Sequence, residues 1–197
     1  ADDAQSSRDA REQIQFMQQD GILDASGQLN LPGSDLSLRY HWESDDGTCL
    51  FRSLFSSDPS NVTKRMVATN ERAHDTRQAI VSYIRQEWEK AIKSQDANRI
   101  ATLEAMLEGA IGDMEASPNP KVKAVRSFIL TADTSALKMS QYLDYMAQDA
   151  TWGGQFEIWA YAQLHQLAII TYQEEEGAIL TSRSVATVEG GEPIGTL

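Results

Sequence analysis

The sequence is short of several things, and each shortage removes a class of protein. It has one cysteine, Cys49, so no internal disulfide framework can form and a reducing compartment is the expected setting. No apolar run exceeds a few residues, the stretch Leu167–Ile170 being typical, so neither a transmembrane helix nor a signal-peptide core is expected. There is no Pro- or Gly-rich tract and no repeat. Basic residues are few: 17 Lys and Arg against 29 Asp and Glu leave a formal net charge of −12, which argues against nucleic acid and anionic membranes as partners and favours a basic one. Histidines number three, without ligand spacing, and the lone thiol has no thiol partner, so neither a metal nor any other cofactor is implied. With 197 residues and 41% hydrophobic content, the chain fits one domain over 1–197 with a sizeable core, preceded over 1–30 by a helical extension.

What is present centres on His41 to Phe55, HWESDDGTCLFRSLF. Leu50, Phe51, Leu54 and Phe55 have helical spacing, so Asp46-Gly47-Thr48 reads as a turn leading into a helix that begins at or near Cys49. Unpaired N–H groups and the positive end of the helix dipole favour a thiolate there. The same donors around Gly47 and Thr48 suit an oxyanion, which makes this a nucleophile loop for acyl transfer.

Along the chain, residues up to Gly21 read as an amphipathic helix with Ala10, Ile14 and Met17 on its apolar side and Phe16 off it. Leu36–Trp42 alternates like a strand, SSDPSN reads as a turn, and helical periodicity runs from about Val62 to Gln95 in one or two pieces. A further helix covers Ala97 to Glu115, and Pro118 and Pro120 break the pattern before it resumes at Val122. The segment from Ser135 to Gln173 reads as helix, Gly turn, helix, strand. Short strand candidates follow at Ala178–Leu180, Val185–Val188 and Ile194–Leu197. Helices first and strands clustered late point to an α+β domain.

The segment DGTCLFRSLF resembles the nucleophile motif of the OTU (ovarian tumour) family of cysteine deubiquitinases, D-G-x-C-L-F-R, which Asp46, Gly47, Cys49, Leu50, Phe51 and Arg52 match. Tyr142, Met146, Trp152, Gly153, Gly154, Glu157, Ile169 and Tyr172 follow in the family's order, and Arg77, Ile80, Tyr83 and Ile84 fit its helix after the nucleophile. The resemblance implies a papain-like α+β fold with a small central, mostly antiparallel sheet flanked by helices. It also implies isopeptidase chemistry on ubiquitin or polyubiquitin, with Trp152, Gly153 and Gly154 flanking a channel for the substrate's Gly-Gly tail. Trp159 and Tyr161 read as core aromatics.

The departure from the family is the histidine. OTU enzymes resemble one another in carrying an H-aromatic-Asp/Asn pattern after the nucleophile, and no histidine follows His165. His41-Trp42-Glu43 reproduces the pattern with Glu, eight residues ahead of Cys49. Two explanations stand: a permuted chain order in which the His strand feeds the Cys loop, or loss of a histidine beyond Leu197. Triads are defined by geometry rather than order. On the permuted reading Cys49 is nucleophile, His41 base, and either Glu43 or Asp46 the orienting acid. A catalytically silent ubiquitin-binding module is the alternative. Permuted OTU domains resemble those of bacterial effectors delivered into host cells, which fits a reducing site of action.

Overall fold

The computed structural model describes residues 2–21, 23–26, 28–30, 37–39, 43, 46–175, 179–186 and 193–196. In chain order it runs α1 (Asp2–Gln19), β1 (Gln28–Asn30), β2 (Ser37–Arg39), α2 (Cys49–Ser57), α3 (Pro59–Thr63), α4 (Asn70–Ser94), α5 (Ala97–Glu115), α6 (Pro120–Leu130), α7 (Ser135–Met146), α8 (Gln155–His165), β3 (Ala168–Glu175), β4 (Ile179–Ala186) and β5 (Pro193–Thr196). No helix among the described residues is long and apolar enough to cross a membrane.

Side-chain caps set the helix boundaries. Thr69, Asp96, Asn119 and Thr134 accept hydrogen bonds from the first-turn N–H groups of α4, α5, α6 and α7, each worth about 1 kcal/mol. Pro120 opens α6, where its missing N–H costs nothing. The expected turn at SSDPSN is instead the start of α3: Asp58 caps it through Ser60 N–H at 2.9 Å and Pro59 takes the first position. Gln95 ends α4 in the left-handed region, φ 54°.

The expected α+β domain with a central sheet flanked by helices is corrected by the structure: the described residues are predominantly helical, and the element at the centre is a helix. α8 is buried on every side from Phe156 to Ala162, and apolar there but for Glu157. It packs against α4, α5, β3 and β4. The main core cluster draws on α2, α4, α5, α6, α7 and α8 and on Ile169 of β3. β1 and β2 form an antiparallel ladder, Gln28 opposite Arg39. β3 lies between β4, antiparallel with a register shift at Thr171/Tyr172, and β5, parallel with Ile169 opposite Ile194. The physical reason is in where the apolar residues lie: the helices carry the periodic stripes, each buried Leu or Ile contributing about 1.5–3 kcal/mol, and α8 alone is buried at every position from Phe156 to Ala162.

Candidate active site

The turn before α2 is built from three residues. Gly47 has φ +76°, a conformation open to glycine. Asp46 Oδ1 accepts the Thr48 N–H at 3.0 Å, closing an Asx turn. Thr48 is the N-cap; its carbonyl accepts from Phe51 and Arg52 N–H, both at 3.1 Å, while its hydroxyl makes no capping bond. Cys49, half-buried, is therefore the first residue of α2, at the end where backbone N–H groups project and the dipole is positive.

Arg52, one turn further on, ties the loop to this helix. Its Nη2 and Nη1 donate to Asp46 Oδ1 and Oδ2 at 2.8 and 3.0 Å. Its Nε donates to Glu43 Oε2 at 2.8 Å, and Nη1 also reaches Asn70 Oδ1 at 3.1 Å. Arg52 is buried. Burial would raise the Asp46 pKa, but the hydrogen bonds from Arg52 and Thr48 and the Arg52 charge outweigh it and hold that carboxyl below its ordinary value. Both oxygens of Asp46 are thus committed to Arg52.

On the other side of the loop stands the 146–154 segment. Ala150 is itself left-handed, φ 61°, and its carbonyl lies against Gly47 so closely that a β-carbon there would sit 2.6 Å from the Ala150 carbonyl carbon. Arg77 of α4, fully buried, donates through Nη2 to Gly47 O at 2.9 Å and through Nη1 to Met146 O at 3.0 Å, lying 4.0 Å over the Phe51 ring. Gln78 donates to Ala147 O at 2.8 Å. Gly153 rests on α2: a β-carbon there would meet Leu50 Cδ2 at 2.7 Å. Trp152 beside it is 53% exposed, and the Trp152–Gly154 rim opens on a cavity of about 230 Å³ that reaches Tyr142 and Glu157.

Glu157 closes that cavity from below. It is fully buried, accepts the Gly154 N–H at 2.7 Å at the head of α8 and the Tyr142 hydroxyl at 2.5 Å. Burial raises its pKa, opposed by those two hydrogen bonds. The same burial and the neighbouring carboxyl push Tyr142 well above its ordinary range.

The residues singled out from sequence separate into three groups. Asp46, Gly47, Thr48 and Cys49 share one loop, with Glu43 joined to it through Arg52 and Gly153 packed on Leu50. His41 and Trp42 lie outside the described residues. The other two histidines have partners elsewhere: His74 Nδ1 is 2.7 Å from Asp149 Oδ1, both exposed, and His165 stacks on Tyr161 at 4.2 Å and is 3.9 Å from Asp58 Oδ2. Burial lowers the His165 pKa. Asp58 follows the last residue of α2, whose nine residues put it about 13 Å from Cys49.

Arg77 as the loop's anchor was not read from the sequence beyond its fit to a helix. A signal existed. Ala73, Arg77, Ile80 and Ile84 form one buried stripe of α4, and a cation in an apolar stripe needs acceptors from elsewhere in the chain. Glu157, inside the apolar run of α8, carried the same signal.

Comparison with protein families gives one match: the model described as OTU-like cysteine protease matches residues 44–193, a span that includes the Cys49 loop, Arg77 and the Trp152–Gly154 rim. No curated protein matches the chain.

Proposed function

We propose, from the premise that this chain belongs to the OTU-like cysteine protease family, that it is a deubiquitinase hydrolysing the isopeptide bond after the C-terminal glycine of ubiquitin. The observation that carries the reading is the position of Cys49 as first residue of α2, behind the Gly47 turn and beside the Gly153 contact. A thiolate there is favoured by the helix end. It attacks the isopeptide carbonyl, and backbone N–H groups of the loop other than that of Thr48, which Asp46 holds, receive the developing oxyanion. His41 takes the thiol proton and returns it to the lysine amine that leaves; water, deprotonated by the same imidazole, then hydrolyses the thioester and frees the glycine carboxylate.

The two acids divide the remaining work. Asp46 binds Arg52 with both oxygens and the Thr48 N–H with one of them, which suits it to shape the loop. Glu43 engages Arg52 through Oε2 and stands two residues from His41 in sequence, which suits it to orient the imidazole. Trp152, Gly153 and Gly154 form the wall of the channel for the Gly-Gly tail; at Gly154, where a β-carbon would meet nothing within 4 Å, one backbone can approach another. The chain's net charge of −12 favours a basic substrate protein.

The test is reaction of the chain with ubiquitin bearing a C-terminal thiol-reactive warhead. Covalent labelling that vanishes in Cys49→Ala and falls sharply in His41→Ala is expected. A parent chain that binds ubiquitin without labelling would make it a silent binding module, and undiminished labelling of His41→Ala would remove that residue from the mechanism.

A further inference from the structure

The peptide plane between Gly47 and Thr48 is gripped at both edges: its carbonyl accepts from Arg77 Nη2 at 2.9 Å and its N–H donates to Asp46 Oδ1 at 3.0 Å. That plane lies one peptide ahead of the one that joins Cys49. We propose that Arg77 is a positioning residue for the thiol chemistry, a staple that fixes the orientation of the nucleophile loop and its separation from the Trp152–Gly154 rim. The inference rests on the proposed role of Cys49.

Three observations bear on it. First, the guanidinium binds two carbonyls that belong to different walls of the site: Gly47 in the nucleophile loop, and Met146 at the end of α7, from which the chain runs on to the rim. One planar fork therefore holds both at a set distance, which a lysine's single ammonium does not reproduce. Second, the guanidinium has no freedom to swing. It is fully buried and sits 4.0 Å over the Phe51 ring in α2, so the helix that begins with Cys49 is registered against the same group. Third, the two edges of the 47–48 plane are held by separate cations, since Asp46 is itself fixed by Arg52. Loss of Arg77 would leave Asp46 and Arg52 in place but release the carbonyl edge, letting the plane rotate and misalign the N–H groups around Cys49. Misplacement on this scale reduces rates steeply because reacting atoms must be held within a narrow approach geometry.

The experiment compares the parent with Arg77→Lys, which keeps the charge and loses the fork. Three readouts are taken: cooperative thermal unfolding, kcat and KM on a fluorogenic ubiquitin C-terminal amide, and the pH dependence of Cys49 alkylation by iodoacetamide. The expected result is a kcat lower by about 100-fold with KM little changed, an alkylation midpoint moved to higher pH, and cooperative unfolding retained. An Arg77→Lys chain with the parent's kcat overturns the proposal. So does a lowered kcat with an unaltered alkylation profile, because the loss is then not transmitted through the nucleophile loop. If Arg77→Lys does not unfold cooperatively, Phe51→Leu, which removes the ring beneath the guanidinium, is read in its place with the same outcomes in kind. The alkylation arm uses no ubiquitin. A parent that ignores ubiquitin therefore refutes the substrate reading alone, while the alkylation profiles still decide the role of Arg77.

Discussion

Gly47 and Ala150 meet backbone to backbone, the Cα of one against the carbonyl of the other, with no room between them for a β-carbon. Gly47 also needs φ +76°. Replacement by alanine therefore meets both a strained dihedral and a steric conflict with a main-chain atom that cannot rotate away. Gly47→Ala is expected to lose about 3 kcal/mol of stability or more, measured by urea unfolding, and to slow Cys49 alkylation at neutral pH.

Among the described residues, Arg52 is the cation that bridges Glu43 and Asp46. Arg52→Met would leave two carboxylates facing each other, Glu43 largely shielded and Asp46 46% exposed. With allowance for solvent around Asp46, the expected loss is about 2–4 kcal/mol. A wild-type midpoint in urea for Arg52→Met would contradict it.

The two acids can be separated kinetically. Glu43→Gln removes the charge assigned to the imidazole and is expected to lower kcat in ubiquitin cleavage with little change in KM. Asp46→Asn loosens the loop instead, so its main effect is on stability above pH 3.8: the Asp46 carboxyl, held below that ordinary value in the fold, contributes stability that is present above it and lost as pH falls through the lower folded value. Parent and Asp46→Asn should converge in stability at acid pH.

Glu157 has the opposite sign. Its pKa is raised above 4.5 by burial, so its contribution is fully present below pH 4.5 and is lost as pH rises through the folded value. The difference in urea midpoint between parent and Glu157→Gln should shrink from acid to neutral pH. A difference that grows over that range would show the carboxylate, rather than the acid, to be the favoured buried form.

Trp152 is 53% exposed on the rim. Trp152→Ala should leave the unfolding midpoint almost unchanged, as surface substitutions do, and raise KM several-fold at nearly constant kcat. His74→Ala and His165→Ala, whose rings pair with Asp149 and Asp58, should label with the ubiquitin warhead at the parent rate.

Helices were legible in the sequence wherever periodicity and caps agreed. α5 (Ala97–Glu115) matches its expected span, and the Gly turn between α7 and α8 stands where Gly153 and Gly154 predicted. Met17 is buried and Phe16 exposed, as the stripe on the N-terminal helix required. The Cys49 turn was legible because glycine, Asx and the onset of a helical stripe are all local signals. Short-range rules fail at Asp58-Pro59, where a cap and an N1 proline resemble a turn, and at the sheet. Strand pairing depends on partners distant in sequence: Ala178–Leu180 and Val185–Val188 read as separate pieces, whereas β4 spans Ile179–Ala186 without a break. The stripe marks Arg77 as a buried cation, but its acceptors were out of reach for the same reason, since they lie 30 and 69 residues away.

That long reach has a bearing on how the protein is born. A ribosome adding about 5–20 residues per second releases Cys49 on the order of ten seconds before Ala150, which packs on Gly47, and Gly153, which packs on Leu50. Until those residues emerge and dock, the thiol is a cysteine on an unsupported nine-residue helix, too short to persist alone in water, with neither an aligned dipole nor a channel. On the proposed role of Cys49, nascent chains are therefore chemically dormant, and reactivity arrives with the last contacts made rather than with the synthesis of the cysteine.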